Sequence, residues 1–180
     1  GDVAGMGADL YESYYGSILA TMTLGAAAAV SAVGVGAAAV GFGMKLAAAP
    51  LALAGLGIFC SVIGIFTVKS KDDASFNDLL KSLHFGVYTA SILITIGAFV
   101  LLFLLFGNDP GLAQAGTSWW RLGFSIVFGL AAGLIIAYAT EYYTSYEYRP
   151  TLRIAEQALT GPATVIIAGI AEGMKSTWAS

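Results

Sequence analysis

Charged side chains are scarce in this 180-residue sequence, where they make up 11% of the residues against 58% that are hydrophobic. A water-soluble domain carries about 25% charged residues, because its outer surface must be polar. The scarcity therefore excludes a soluble enzyme and a disordered chain. The net charge of −3 also argues against a basic surface that would bind nucleic acid, and no nucleic-acid partner is expected.

Long stretches of the chain lack Asp, Glu, Lys, Arg and His altogether. A helix needs about 20 mostly apolar residues to cross the hydrocarbon core of a bilayer. The uncharged runs are continuous rather than alternating, so they predict helices and not strands. The chain is therefore predicted to be an all-α, polytopic transmembrane bundle. The four runs are residues 13–44, 46–68, 85–108 and 122–140.

Cysteine is almost absent as well. The only one, Cys60, cannot form a disulfide within the chain, and its apolar surroundings predict a buried structural thiol. The sequence also begins with Gly-Asp rather than Met, so we expect it to be a piece of a longer protein.

Five hydrophobic segments can be drawn, which predicts about five spans. The first is a helix followed by a small-residue extension that reaches about residue 42, because a single untilted span would be too long. The third ends at Gly107-Asn108-Asp109-Pro110-Gly111, a strong turn signal. Gly129 and Gly133 form a small-xxx-small pair that permits close helix approach. The remaining segments are residues 46–68, about 83–106, about 119–143, and a weaker one at 159–171.

The distribution of Lys and Arg predicts an orientation. With five spans, the loops after segments two and four carry Lys69, Lys71, Lys81, Arg149 and Arg153, and the opposite side carries only three cations: Lys45, Arg121 and Lys175. The positive-inside rule then places the first set, and the beginning of the first helix, in the cytoplasm.

Three acids lie at the beginning of the first predicted helix. Asp2 and Asp9 are seven residues apart, so they share nearly one face about 10 Å apart along the axis. Glu12 and Ser13 follow Asp9 by three and four residues and flank that face. A first-turn acid is favoured by the helix N-terminus, which explains Asp2. Carboxylates deeper in a membrane usually face water, a cation or a basic partner, which is our interpretation of Asp9 and Glu12.

Three motifs resemble those of membrane-bound, ion-pumping pyrophosphatases. Gly-Asp-Val-Ala-Gly-Met-Gly-Ala-Asp-Leu-Tyr-Glu-Ser-Tyr at residues 1–14 resembles the sixth transmembrane helix of that family. Thr-Glu-Tyr-Tyr-Thr-Ser at 140–145 and Thr-Gly-Pro-Ala-Thr at 160–164 follow in the family's order and at compatible spacing. The resemblance covers essentially the whole chain and implies helices six to ten of a sixteen-helix pump. It assigns residues 1–42 to an inner-ring helix with its extension and 43–180 to four outer-ring helices.

The resemblance also implies roles for individual residues. Asp2 corresponds to a carboxylate that orients and deprotonates the attacking water beside Mg²⁺-pyrophosphate, and Asp9 to the acid of the ion gate. Glu12 matches the gate glutamate in its sodium-pump position, and Ser13 is a plausible further Na⁺ ligand. In plant-type proton pumps the glutamate corresponds to Gly16, which has no side chain to bind a cation.

The expected function is therefore part of a membrane pyrophosphatase that couples Mg²⁺-pyrophosphate hydrolysis to Na⁺ export. The resemblance implies Mg²⁺ as cofactor, Na⁺ as activating and transported ion, and a full-length homodimer in a prokaryotic cell membrane with a cytoplasmic catalytic side. It leaves K⁺ activation open. The alternatives are H⁺ pumping, since some members with glutamate at this position move protons, and a channel or transporter without hydrolysis.

Overall fold

A computed structural model describes residues 1–69 and 76–179 of the chain. The all-α prediction is confirmed, because these residues form helices and no strand. The part of the loop at 70–75, with Lys71, lies outside the described residues. The described ranges contain seven α-helices: α1 Asp2–Val33, α2 Ala37–Thr67, α3 Phe76–Phe106, α4 Pro110–Gln114, α5 Trp119–Thr144, α6 Arg149–Glu156 and α7 Pro162–Ser176. Turns of 3₁₀ helix occupy Gln157–Leu159 and Thr177–Ala179.

The small-residue extension after the first helix is divided between two helices. α1 continues to Val33 and ends at Gly34, whose φ of 82° is a left-handed conformation that glycine adopts without steric cost. α2 then begins at Ala37. The sequence placed the second segment from residue 46 onward, so the structure moves the beginning of that helix nine residues towards the N-terminus.

Four helices are long and apolar enough to cross a membrane among the residues that the structure describes. They cover Val3–Val33, Ala39–Thr67, Asp78–Phe106 and a stretch from Trp119 to Leu159. The turn predicted at residues 107–111 is present, since α3 ends at Phe106 and the Asp109 side chain caps α4 by accepting from the Gly111 N–H at 2.9 Å. The fifth predicted segment forms α7, with 15 residues. At 1.5 Å per residue, α7 is about 22 Å long and shorter than the hydrocarbon core.

Residues Gly1–Ile126 form one compact unit. Within it α2 packs between α1 and α3. Its core combines small residues of α1 and α2 with aromatic and aliphatic ones from α2, α3 and α4, which lets the helices approach closely around large side chains. The buried members are Ala29, Phe42, Ala49, Leu102, Phe106 and Leu112. Cys60 is buried and free, as the sequence predicts.

Pro50 interrupts the hydrogen bonding of α2. It has no N–H to donate to the carbonyl of Leu46 one turn earlier. Gly25 of α1 lies directly against that carbonyl, since a methyl group at Gly25 would be 2.9 Å from the Leu46 oxygen. A larger residue at Gly25 would therefore push α1 away from α2.

The second unit, Val127–Ser180, contains the end of α5 together with α6 and α7. α6 and α7 form a helical hairpin whose turn passes through Gly161, with a φ of 133°. The Gln157 carbonyl accepts hydrogen bonds from the hydroxyls of Thr160 at 2.8 Å and Thr164 at 3.0 Å. The Thr-Gly-Pro-Ala-Thr motif thus builds the turn between the two helices.

Candidate functional site

α1 carries the predicted site residues on one side of a continuous helix. At about 100° per residue, Asp9 and Ser13 lie about 40° apart around the helix axis, and Glu12 lies about 60° from Asp9 on its other side. All three residues are exposed within the part of the chain that the structure describes. Asp2 is the first residue of α1, and its side chain lies outside the described structure.

The packed face of α1 lies largely opposite this acidic face. It is marked by Tyr14, whose hydroxyl donates to the Ala54 carbonyl of α2 at 3.2 Å, and Tyr14 is about 200° from Glu12 around the helix. Further along the helix the same side packs in the unit's core. The packed face thus turns Asp9, Glu12 and Ser13 away from α2. Its half-buried or buried residues are Ile18, Met22, Gly25, Ala26, Ala29, Ala32 and Val33.

Local hydrogen bonding keeps the polar residues of α1 helical. The Ser17 hydroxyl donates to the Ser13 carbonyl at 2.8 Å, and the Thr21 hydroxyl donates to the Ser17 carbonyl at 2.8 Å. These bonds satisfy hydroxyl groups inside an apolar helix.

Asp9 and Glu12 have no cation beside them in the described residues. There, ion pairs join Lys45 to Asp109, and Arg153 and Lys175 to Glu172, and none includes Asp9 or Glu12. No group of three or more His, Cys, Asp or Glu side chains able to hold a metal occurs in that part of the chain either. Asp9, Glu12 and Ser13 therefore form a candidate site that, among the described residues, is open on the face of α1 away from α2.

An apolar groove lies beside this site. It has a volume of about 970 Å³ and is lined by α1, α2 and α3. Tyr14 and Ser17 contribute to its wall, whereas Asp9, Glu12 and Ser13 do not. The groove and the acidic face are thus different surfaces of α1.

Sequence reasoning missed two charged groups that the fold assembles. Asp109 is nearly buried, with 7% of its side chain exposed, and it pairs with Lys45 of α2. The Lys45 ammonium, by hydrogen bonding, holds the pKa of Asp109 below its ordinary value of 3.8 against the opposing effect of burial. Glu172 is buried and pairs with Arg153 and Lys175. The separation of Glu172 and Lys175 by three residues was the only feature of the sequence that could have indicated one of these ion pairs.

Comparison with known proteins agrees with the motifs. A family model described as inorganic H⁺ pyrophosphatase matches residues 1–180. The chain is 48% identical over 97% of its length to a candidate K⁺-stimulated pyrophosphate-energized sodium pump of Bacteroides thetaiotaomicron, of which it covers 22%. It is 41% identical over 97% of its length to a protein of the same name from Clostridium tetani, again covering 22%.

Some of the more distant relatives carry a different ion in their names, although one that is 30% identical, from Thermotoga maritima, is again named a sodium pump. A K⁺-insensitive pyrophosphate-energized proton pump of Moorella thermoacetica is 34% identical over 98% of this chain, which covers 23% of that protein. The chain thus spans about a fifth of the length of the curated relatives that it matches. With four candidate spans and a family match over its whole length, it is an integral, multi-pass membrane protein, and it belongs to the inorganic H⁺ pyrophosphatase family.

Proposed function

We propose that this chain is part of a membrane pyrophosphatase that couples the hydrolysis of pyrophosphate to the transport of Na⁺. The support comes from the family match and from two relatives, 48% and 41% identical, whose names specify a pyrophosphate-energized sodium pump. Since the chain covers 22% of each, the activity belongs to a full-length protein of which these residues supply one part.

The observation that carries the proposal is the acidic face of α1. A carboxylate inside a membrane costs about 2.5–3.5 kcal/mol by insertion scales, and such groups usually face a partner or a water-filled path. Asp9 and Glu12 lie in a helix long enough to span and are turned away from its packed face. We infer that this face lines the ion path and that α1 is an inner-ring helix, with the helices from α2 onward in the outer ring.

The donor set on this face suits a hard cation. Two carboxylates and the Ser13 hydroxyl offer only oxygen, the ligand type that such cations prefer over nitrogen and sulfur. Na⁺ would exchange part of its hydration shell for these oxygens and lose them again when the charge balance of the face changes. Asp9, Glu12 and Ser13 are accordingly proposed as the Na⁺ gate.

Asp2 is proposed to act at the hydrolytic end of the same helix. Its carboxylate would orient the attacking water and accept its proton, as a general base within hydrogen-bond reach can do. A carboxylate oxygen is also a ligand type that Mg²⁺ accepts. Bound Mg²⁺ would neutralise phosphate charge and polarise the phosphorus–oxygen bond. Asp2 is about 10 Å along the axis from Asp9, so one rigid helix would connect hydrolysis with the gate.

The full-length protein is further proposed to be a homodimer in a prokaryotic cell membrane, with its catalytic side facing the cytoplasm. K⁺ stimulation is proposed from the names of the relatives that are 48% and 41% identical. The orientation comes from the excess of Lys and Arg in the loops assigned to the cytoplasm.

The proposal is tested by measuring pyrophosphate hydrolysis by the full-length protein in inverted membrane vesicles over a series of Na⁺ concentrations. K⁺ and Mg²⁺ are held fixed, and ²²Na⁺ uptake is followed in the same vesicles. We expect hydrolysis to require Na⁺ and uptake to require pyrophosphate. Hydrolysis that is indifferent to Na⁺, without uptake, would contradict the sodium assignment.

A second candidate is a proton pump, favoured by the relatives named proton pumps at 34% and 35% identity. Its signature is pyrophosphate-driven acidification of the vesicle lumen in a Na⁺-free medium that a protonophore abolishes. Gly16 argues against the plant-type arrangement, because it offers no side-chain oxygen where that arrangement has its glutamate.

A further inference from the structure

The hairpin of α6 and α7 brings three charged side chains to one point. Lys175 Nζ donates to Oε1 of Glu172 at 2.9 Å, and Arg153 Nη1 lies 3.8 Å from the same oxygen. Only 11% of the Glu172 side chain is exposed, whereas 61% of the Arg153 side chain and 58% of the Lys175 side chain are exposed. We call Arg153, Glu172 and Lys175 the charged clamp.

Both cations of the charged clamp contact one oxygen atom, so they cannot lie on opposite sides of a hydrocarbon core about 30 Å thick. The sequence-based orientation separated them, because it treated residues 159–171 as a crossing between Arg153 and Lys175. Most of that stretch instead belongs to α7, the second helix of the hairpin. Arg153 and Lys175 therefore lie at the same depth relative to the bilayer.

The positions of the polar and charged residues in the hairpin indicate whether it lies in lipid or in water. The charged clamp has an excess positive charge of one, which is unfavourable in hydrocarbon. The turn at the other end carries exposed Glu156 and the polar side chains of Gln157, Thr160 and Thr164. Because both ends of the hairpin are polar or charged, insertion of either end into the bilayer would bury such groups in lipid.

We infer that α6 and α7, from Arg149 to Lys175, lie together on one side of the membrane and that residues 159–171 are not a membrane crossing. The charged clamp holds the two helices against each other on that side. Six of the eight Lys and Arg residues are then assigned to the cytoplasmic side, and two to the opposite side. The six are Lys69, Lys71, Lys81, Arg149, Arg153 and Lys175, and the two are Lys45 and Arg121. The positive-inside bias becomes stronger than the five-to-three division of the sequence. The inference does not depend on which ion is transported.

The side of the membrane is tested with single cysteines in the full-length protein, in a cysteine-free background that includes Cys60→Ala. A membrane-impermeant maleimide is applied to intact cells and to inverted vesicles carrying Thr177→Cys. The reference variants are Glu147→Cys, in the turn after α5, and Gln114→Cys, between α3 and α5. We expect the Thr177→Cys and Glu147→Cys variants to react from the same face, and Gln114→Cys from the other. Reaction of Thr177→Cys from the Gln114→Cys face, or from neither face, would overturn the inference.

The charged clamp itself is tested by chemical cross-linking. The double variant Arg153→Cys with Glu172→Cys should be joined across α6 and α7 by a short bifunctional maleimide, because two long side chains that meet at their tips span more than the separation that a direct disulfide requires. The product is detected as a mobility shift after proteolysis between the two helices. Leu152→Cys with Glu172→Cys is the matched control, because Leu152 is the exposed neighbour of Arg153 on a different face of α6. Equal cross-linking of both pairs, or no cross-linking of the first, would disprove the clamp.

Discussion

Glu12 is the residue on which the proposed Na⁺ selectivity depends most directly. It lies about 15 Å along α1 from Asp2 by the helical rise, and its side of the helix faces away from the residues that pack in the unit's core. Asp9 and Ser13 add oxygen ligands on the same side. The chemistry of the proposed gate therefore rests on three side chains of one helix and on the partners that the rest of the protein would bring to them.

Replacing Glu12 by Gln is expected to weaken the activating effect of Na⁺. The variant keeps the shape of the side chain and removes its charge, which costs about 1.5–3 kcal/mol for a charge-assisted contact. The Na⁺ concentration for half-maximal hydrolysis should therefore rise by about tenfold or more. Hydrolysis by the full-length protein over a Na⁺ series measures this.

Glu147→Gln is the matched control, since Glu147 is exposed in the turn after α5 and has no place in the proposed gate. Its Na⁺ dependence should equal that of the parent. If Glu12→Gln also leaves the half-activating Na⁺ concentration unchanged, Glu12 is not a ligand of the activating ion.

At the scale of the helices, α2 and α3 are held together by a close contact of two glycines. A methyl group at Gly64 would lie 3.0 Å from the Gly86 carbonyl oxygen and 3.0 Å from Cβ of Ala90. Close approach of small residues is a main source of helix association in lipid, where the hydrophobic effect between helices is lost. At Gly129 and Gly133, the predicted small-residue pair, a methyl group would meet no described atom within 4 Å.

Gly64→Leu is therefore expected to destabilise the protein by forcing α2 and α3 apart. Overpacking of a tight contact typically costs 1–3 kcal/mol, and the effect should appear as a lower midpoint of thermal unfolding of the detergent-solubilised full-length protein. Gly55→Leu, in the same helix but with no atom within 4 Å of its added carbon, should leave the midpoint near that of the parent. Equal midpoints for the two variants would show that the contact of Gly64 with Gly86 contributes nothing.

At the scale of the whole molecule, distant segments of the chain are joined by pairs of opposite charge. Lys45 of α2 reaches Asp109, 64 residues later in the turn between α3 and α4, and Asp109 also caps α4. In the second unit Glu172 joins α6 to α7 in the same manner. Both acids are mostly buried, so loss of either partner would leave a carboxylate poorly compensated.

The Lys45–Asp109 pair predicts a pH-dependent contribution to stability. The pKa of Asp109 is lowered in the folded protein, chiefly by its hydrogen bond with Lys45. The stabilisation by the ionised carboxylate is therefore fully present above pH 3.8, the ordinary pKa of the group. It is lost as the pH falls below 3.8 through the lowered pKa of the folded protein. Asp109→Asn should therefore unfold at a lower temperature than the parent near neutral pH, and the difference should shrink below about pH 4. Thermal unfolding of both full-length proteins across that range measures it. A difference that is constant with pH would exclude ionisation of Asp109 as its cause.

The sequence by itself determined the class of the protein and the identity of its candidate site. Continuous uncharged runs can satisfy their backbone groups in lipid only as helices, so the all-α membrane fold followed from composition and periodicity. The spacing of Asp9, Glu12 and Ser13 likewise placed them on one side of α1, because helical geometry is local and nearly constant.

Only the tertiary structure decided which surfaces meet. Tyr14 and Gly25 fix the face of α1 that packs against α2, and thereby the direction in which Glu12 points. The ion-pair partners of Asp109 and Glu172 are brought together by contacts between segments, and no local sequence pattern specifies those contacts. The same is true of the close helix contact at Gly64, which has no counterpart among the described atoms around Gly129. Helical periodicity is a property of neighbouring residues along the chain, whereas packing depends on the complementarity of surfaces that only the folded chain brings together.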